Sequence, residues 1–228
     1  MFQRPLIFAA HADDELTMAG TLARFSRAGA KPYIILMTDG SEGYPRPEMK
    51  DDIVAMRKRE AGACDKVLGI AERLFLDEPD MGLTWSKRVV LRCLGEIRRI
   101  RPDAIFTHGP DDRHPDHRAT SRISLDAWWQ AGQPVCAGLG EPWKTPIVYY
   151  YKGVKADLPR VEIDTTDVAH VRYEAFATQE SQFTLIKMNR EGLLAKAAEV
   201  KASGERARET FWIADVNVFT EFPPAVED

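Results

Sequence analysis

Four short apolar runs, each giving way to a polar loop and then to a segment of helical spacing, constrain this chain more than any other feature. They are Leu6-Ile7-Phe8-Ala9, Tyr33-Ile34-Ile35-Leu36-Met37, Leu74-Phe75-Leu76 and Ala104-Ile105-Phe106-Thr107. None alternates apolar with polar residues, as strands buried on both faces need not. The helical segments run from about Asp14 to Ala28, with Met18, Leu22 and Phe25 on one face, and from about Asp51 to Leu68. Two more run from about Ser86 to Ile100 and from about Pro115 to Ala131. Gly29, Gly69 and Pro102 stand where the first three should stop. Strand and helix alternating in this way predict an α/β fold: a mostly parallel sheet with helices on both faces.

The second half is less regular. Gln133 to Trp143 reads as a surface loop, and Ile147–Tyr151 and Val161–Ile163 read as strands. Asp164 or Thr166 can cap a helix holding Val168, Val171 and Phe176, and a further helix is expected from about Thr184 to Ala202. Phe211 to Phe219 fits a last strand at the sheet edge or a covering loop. With no repeat and no linker, residues 1–228 are expected to form one domain. Its core is 1–131, and 132–228 is a pocket-shaping part.

At 44% hydrophobic and 29% charged residues the composition is that of a globular protein, and a net charge of −4 argues against nucleic acid or an anionic membrane as partner. The basic runs Arg57-Lys58-Arg59 and Arg98-Arg99-Ile100-Arg101 read as solvated helix faces, with Arg57 as an exception taken up below. No apolar run approaches a membrane span, and the N-terminus lacks the length of a signal peptide. Three widely spaced cysteines form neither a zinc-finger spacing nor a disulfide framework, which points to a reducing compartment, the cytoplasm. Homo-oligomerisation is left open.

In open parallel sheets ligands bind beyond the carboxyl ends of the strands. Four polar loops fall on that rim: His11–Glu15, Thr38–Gly43, Asp77–Asp80 and His108–His117. The first packs an imidazole and three carboxylates into five positions, and a divalent cation would resolve their repulsion. His11 and Asp14, three apart at the mouth of a helix, can face one point. His117 would complete a two-His, one-carboxylate set that suits one zinc ion with an open position for water. Asp13 could then take the proton of that water. His114 could serve as acid or oxyanion donor, with the Asp116 carboxylate fixing its tautomer. Taken singly, Asp13 or Asp14 would be a helix N-cap and Pro115-Asp116 a helix start; the pairing of two such loops favours the metal.

With His11-Ala12-Asp13-Asp14-Glu15 after the first strand and His114-Pro115-Asp116-His117 after the fourth, the chain resembles the LmbE-like (PIG-L) zinc-dependent N-deacetylases. Supporting stretches are Ala19-Gly20-Thr21-Leu22-Ala23, Leu36-Met37-Thr38-Asp39-Gly40, Arg57 to Glu60, Pro79-Asp80, Ile97 to Thr107 and Ser181-Gln182-Phe183. The likeness is dense to about residue 125. It implies a Rossmann-like fold and hydrolysis of an acetamide, commonly on an N-acetylglucosamine unit. It implies His11, Asp14 and His117 as zinc ligands, Asp13 as general base, and His114 with Asp116 at the tetrahedral intermediate or the leaving amine. It also implies Arg57 and Asp80 as holders of sugar hydroxyls. Two departures stand out: Ala12 replaces the usual Pro, and Ala207-Arg208-Glu209-Thr210-Phe211 lacks the family's C-terminal Tyr.

The expected substrate is therefore an N-acetylated small molecule, an amino sugar or glycoconjugate, with a non-sugar amide as the alternative. A non-haem iron oxygenase shares the two-His, one-carboxylate set, but that set sits on a β-barrel, whereas this chain alternates strands with helices. A nucleotide-binding module would call for Gly-x-Gly-x-x-Gly after the first strand, which is absent.

Overall fold

A computed structural model of the protein describes residues 2–214. Strands β1 (Pro5–Ala9), β2 (Tyr33–Thr38), β3 (Glu72–Glu78), β4 (Ala104–His108), β5 (Val148–Lys152), β6 (Arg160–Asp164) and β7 (Arg208–Ile213) form one sheet in the order β3-β2-β1-β4-β5-β7-β6. Neighbours among β1 to β5 are parallel, and β7 runs antiparallel to both β5 and β6. The helices are α1 (Ala19–Arg27), α2 (Ile53–Leu68), α3 (Lys87–Ile100), α4 (Pro115–Ala131), α5 (Ala169–Phe176), α6 (Phe183–Ile186) and α7 (Arg190–Ser203). None of the described helices is long and apolar enough to cross a membrane.

The unbroken apolar strands find their reason in two cores. Ile7 and Ala9 of β1 pack with Leu22, Cys64 and Val171 on one face; Leu6 and Phe8 pack with Cys93, Ile97 and Ile123 on the other. Every residue of β1 is buried, and each large side chain there contributes roughly 1.5–3 kcal/mol relative to exposure. Helix ends follow local chemistry. Gly69 closes α2 at φ 71°, the Ser86 side chain accepts from Val89 N at the start of α3, and Pro115 opens α4.

Four readings from sequence come out differently. The first helix begins as a 3-10 turn over Asp14–Met18, so its acidic residues are set tighter than α-helical spacing provides. The expected helix from Thr184 to Ala202 is broken between α6 and α7, because Lys187 turns left-handed and the Asn189 side chain caps a new helix through Gly192 N. The last strand lies inside the sheet, between β5 and β6, rather than at its edge; the part of that stretch beyond Ala214 falls outside the described residues. Arg98 is buried, not solvated. It donates to the carbonyls of Ala131, Gln133, Val135, Cys136 and Gly140, and so gathers the Gln133–Gly140 loop onto α3.

The order of the strands makes the site. Chain direction across the sheet reverses at β1, with β2 on one side and β4 on the other. The loops after β1 and β4 therefore part from each other and leave a crevice at the carboxyl end of the sheet.

Candidate metal centre and catalytic cleft

The turn after β1 is held by its own backbone. Asp14 N donates to His11 O, and the His11 backbone N–H donates to Asp14 Oδ2 at 2.8 Å, which fixes the Asp14 carboxylate to the turn. Across the crevice α4 carries His117 on its first turn. His117 Nε2 lies 3.1 Å from His11 Nδ1 and 3.3 Å from Asp14 Oδ1, and His11 Nδ1 lies 3.6 Å from Asp14 Oδ2. Ligand bonds of about 2.0–2.1 Å in a tetrahedron would separate neighbouring donors by about 3.3 Å. The contacts from His117 Nε2 match that spacing, while His11 faces the other oxygen of Asp14; the donor sets that lie together are His11 with His114 and His117, and Asp14 with His108 and His117. His114 lies close by, its ring centroid 4.7 Å from that of His11.

The charges tell the same story. His117 Nδ1 stands 3.0 Å from Asp112 Oδ1, a carboxylate that favours a proton on that nitrogen, while Nε2 faces His11 and Asp14. Burial pushes His117 down to about 4, with His108 and Lys152 adding to the effect. Burial also works against a charge on His11, yet the carboxylates of Asp116, Asp14 and Asp80 outweigh it and raise His11 to about 11. Asp14 is buried as well and still falls well below the usual carboxylate range, because His108, His11 and Lys152 surround it. Without metal, a proton on His11 occupies the place where the donors converge.

The other expected residues gather around this centre. Asp13 is about one third exposed in the cleft, with Oδ2 3.3 Å from Arg57 Nη2. Arg57 is 4% exposed, so it is no solvated helix charge; its Nη1 also reaches Gln179 Oε1 at 3.4 Å. Asp80 Oδ1 lies 3.1 Å from His11 Nε2 and Oδ2 accepts from Glu42 N, contacts that lower it to about 2 against the cost of burial. The Asp116 carboxylate takes a different part from the expected one. It accepts from Met81 N and Leu83 N and lies 3.4 Å from His11 Nε2, while the Asp116 backbone N–H donates to His114 Nδ1. The tautomer of His114 is therefore set by a main-chain donor, which leaves Nε2 to carry the proton.

Sequence reasoning passed over three groups that complete the cluster. His108 Nε2, at the end of β4, lies 3.1 Å from Asp14 Oδ2 and 2.7 Å from Tyr151 Oη. Lys152 Nζ, at the end of β5, donates to Asp14 Oδ1 at 2.6 Å. Gln182, before α6, lines the cleft and donates to Gly43 O. The signal for the first two was the rim rule itself: a polar residue closing an otherwise apolar parallel strand.

These groups open into a cleft of about 370 Å³ bordered by Asp13, Arg57, Asp80, Met81, Gln182 and Leu185. The Gln133–Trp143 loop does not line it. A larger apolar cavity of about 540 Å³, walled by Phe25, Phe106, Tyr149 and Phe211, shares no residue with the cleft and holds none of the imidazoles.

The chain is 29% identical over 192 residues to diacetylchitobiose deacetylase of Thermococcus kodakarensis, covering 79% of this chain and 70% of that protein. It is 29% identical over 177 residues to 1D-myo-inositol 2-acetamido-2-deoxy-alpha-D-glucopyranoside deacetylase of Streptomyces scabiei, covering 64% of this chain and 55% of that one. The crystal structure of a conserved protein from Thermus thermophilus matches over the full length of both chains, with a TM-score of 0.75 and 28% identity. The family model described as PIG-L, GlcNAc-PI de-N-acetylase, matches residues 6–128, more than half of the chain, and this protein belongs to that family.

Proposed function

We propose that this protein is a zinc-dependent N-deacetylase that hydrolyses the acetamide of an amino-sugar-containing small molecule, releasing acetate and the free amine. The observation that carries this reading is the convergence of His11, Asp14 and His117 beside an accessible carboxylate, Asp13. The relatives named above are deacetylases of N-acetylated sugars, which supports the choice of substrate. Unpaired Cys64, Cys93 and Cys136 support a cytoplasmic setting.

Zinc held by His11, Asp14 and His117 would supply Lewis acidity and bring the pKa of a water to about 7. The remaining work belongs to the chain. Asp13, with one oxygen turned toward the Arg57 guanidinium, takes the proton of the attacking water. That proton then goes to the amide nitrogen, so the C–N bond breaks to a neutral amine and acetic acid, whose remaining proton is released to solvent or taken up by the amine. His114 donates from Nε2 to the carbonyl oxygen as it gains charge, since the main-chain N–H of Asp116 occupies Nδ1. β7 itself carries no Tyr for that task. Ala207 holds the position of the family Tyr, and Glu209 accepts from Gly20 N and Thr21 N to hold the start of α1. Arg57 and Asp80 border the cleft where hydroxyls of the sugar would lie.

The test is amine release from a panel of N-acetylglucosaminides by protein of verified metal content. Asp13→Asn should cut kcat by about 10²–10⁴-fold with metal content unchanged. A metal-loaded protein that releases no amine from any member of the panel would overturn the reading.

A further inference from the structure

Among the described residues the two most exposed large apolar side chains are Leu185, at 63%, and Met81, at 61%, and both line the cleft that holds the histidines. Single exposed apolar residues are ordinary. Two that come from separate elements to one cleft call for a reason. Met81 lies in the loop after β3, and Leu185 lies on α6.

Neither position is loose. Met81 sits at φ 61°, a conformation in which Gly or Asn costs less. Its backbone has a task there: Met81 N lies 2.8 Å from both Asp80 Oδ1 and Asp116 Oδ2, the two carboxylates that face His11. That task explains the backbone and leaves the long thioether side chain unexplained. Ahead of Leu185, Ser181 N and Oγ donate to the buried Glu60, and Gln182 Nε2 donates to Gly43 O, which ties the entry of α6 to the cleft wall. Leu185 follows one turn later with its side chain in solvent.

The cleft thus has a polar depth, with the imidazoles, Asp13 and Arg57, and two exposed apolar side chains on a rim that the exposed Glu42 shares. A scissile amide must sit at depth, between Asp13 and His114. What reaches the rim is the far end of the carrier, which has no need of enclosure. Resting on the deacetylase reading for the sugar, we propose that the substrate carries an alkyl or aryl substituent on its amine side. This substituent, the aglycone, lies between Met81 and Leu185.

The experiment compares methyl with octyl 2-acetamido-2-deoxy-β-D-glucopyranoside as substrates of the metal-loaded protein. In parallel, calorimetry compares binding of the corresponding methyl and octyl 2-amino glycosides, which are the products. The octyl compound should show about a tenfold lower KM and about a tenfold tighter Kd than the methyl one. Met81→Asn, which tolerates the left-handed backbone, combined with Leu185→Gln, which suits a helix, should bring the octyl-to-methyl ratio toward one in both readouts. An octyl advantage that persists in the double variant, or none in the parent protein, would overturn the proposal. So would an advantage confined to N-octanoylglucosamine, since the rim would then serve the acyl side. If no compound is deacetylated, the deacetylase reading fails, while the binding ratio still decides the rim.

Discussion

Asp14 and Glu15 are neighbours in sequence, both are buried, and each begins a chain of contacts of the same form. Asp14 meets His117, and His117 meets Asp112; Glu15 meets Arg73, and Arg73 meets Asp65. In both, a buried carboxylate faces a nitrogen base with a second carboxylate behind it. The outcomes are opposite. Burial raises Glu15 even though Arg73 Nη2 lies 2.6 Å away, whereas Asp14, as deeply buried, is lowered by His108, His11 and Lys152. Arg73 is permanently charged and has no lone pair to give. The imidazoles around Asp14 can exchange a proton for a metal ion. On the proposed reading one chain of contacts holds the fold and the other offers chemistry, and the kind of base decides which.

The largest effect separating them should come from Arg73→Met. Glu15 would keep its burial and lose its counter-charge, at a cost of about 3–5 kcal/mol in urea unfolding. Adding Glu15→Leu should recover most of that loss, because well-packed apolar groups replace a buried ion pair at little cost. Zinc affinity should be unchanged in both variants. A matching fall in zinc affinity would show the two chains to be one coupled network.

Much of this arrangement was legible in the sequence, and for a definite reason. Strands buried on both faces write themselves as unbroken apolar runs, so β1, β2 and β4 were readable, and the rim followed from their carboxyl ends. The two His/Asp loops carried enough of the cluster to locate it. What escaped depends on contacts that periodicity does not record. The 3-10 turn at Asp14 comes with a bond from His11 N to the Asp14 carboxylate, and Lys152 reaches Asp14 across 138 residues of chain. Whether Asp116 would touch His114 with its carboxylate or its backbone could not be read from the string His114-Pro115-Asp116. Both are two residues away, and the geometry of the helix start chooses the N–H. Arg98 misled for a related reason: a guanidinium among basic neighbours looks solvated until a loop of carbonyls is folded over it.

A second contrast appears with pH in metal-free protein. His11 has a folded pKa of about 11 against about 6.5 when unfolded. The folded state therefore holds an extra proton between those values. The stability this provides is complete below pH 6.5 and is lost as pH rises through 11, by up to about tenfold in the folding constant per pH unit. His117, pushed down to about 4, acts only below pH 6.5, and Arg73 stays charged throughout. Metal-free protein should then melt at a lower temperature at pH 9 than at pH 7. Zinc-loaded protein should not, as the proton is already displaced. Equal slopes in the two forms would mean that His11 is not the group that yields to metal.

The smallest effect, and the sharpest comparison, lies in the outer carboxylates. Asp112→Ala removes the carboxylate 3.0 Å from His117 Nδ1 and with it the charge that favours a proton there over Nε2. Zinc affinity, read by competition with a chelator, should fall about 10–100-fold. Asp65→Ala removes the corresponding partner of Arg73, which donates to Asp65 from Nε and Nη2. That change should cost about 1.5–3 kcal/mol of stability and leave zinc affinity alone. The two substitutions are chemically identical and differ only in the base each carboxylate touches. If both lower zinc affinity alike, the distinction between an exchangeable imidazole and a fixed guanidinium is not what separates function from scaffold here. If only Asp112→Ala does, an outer carboxylate serves the metal through the tautomer it selects, a choice that a guanidinium does not have.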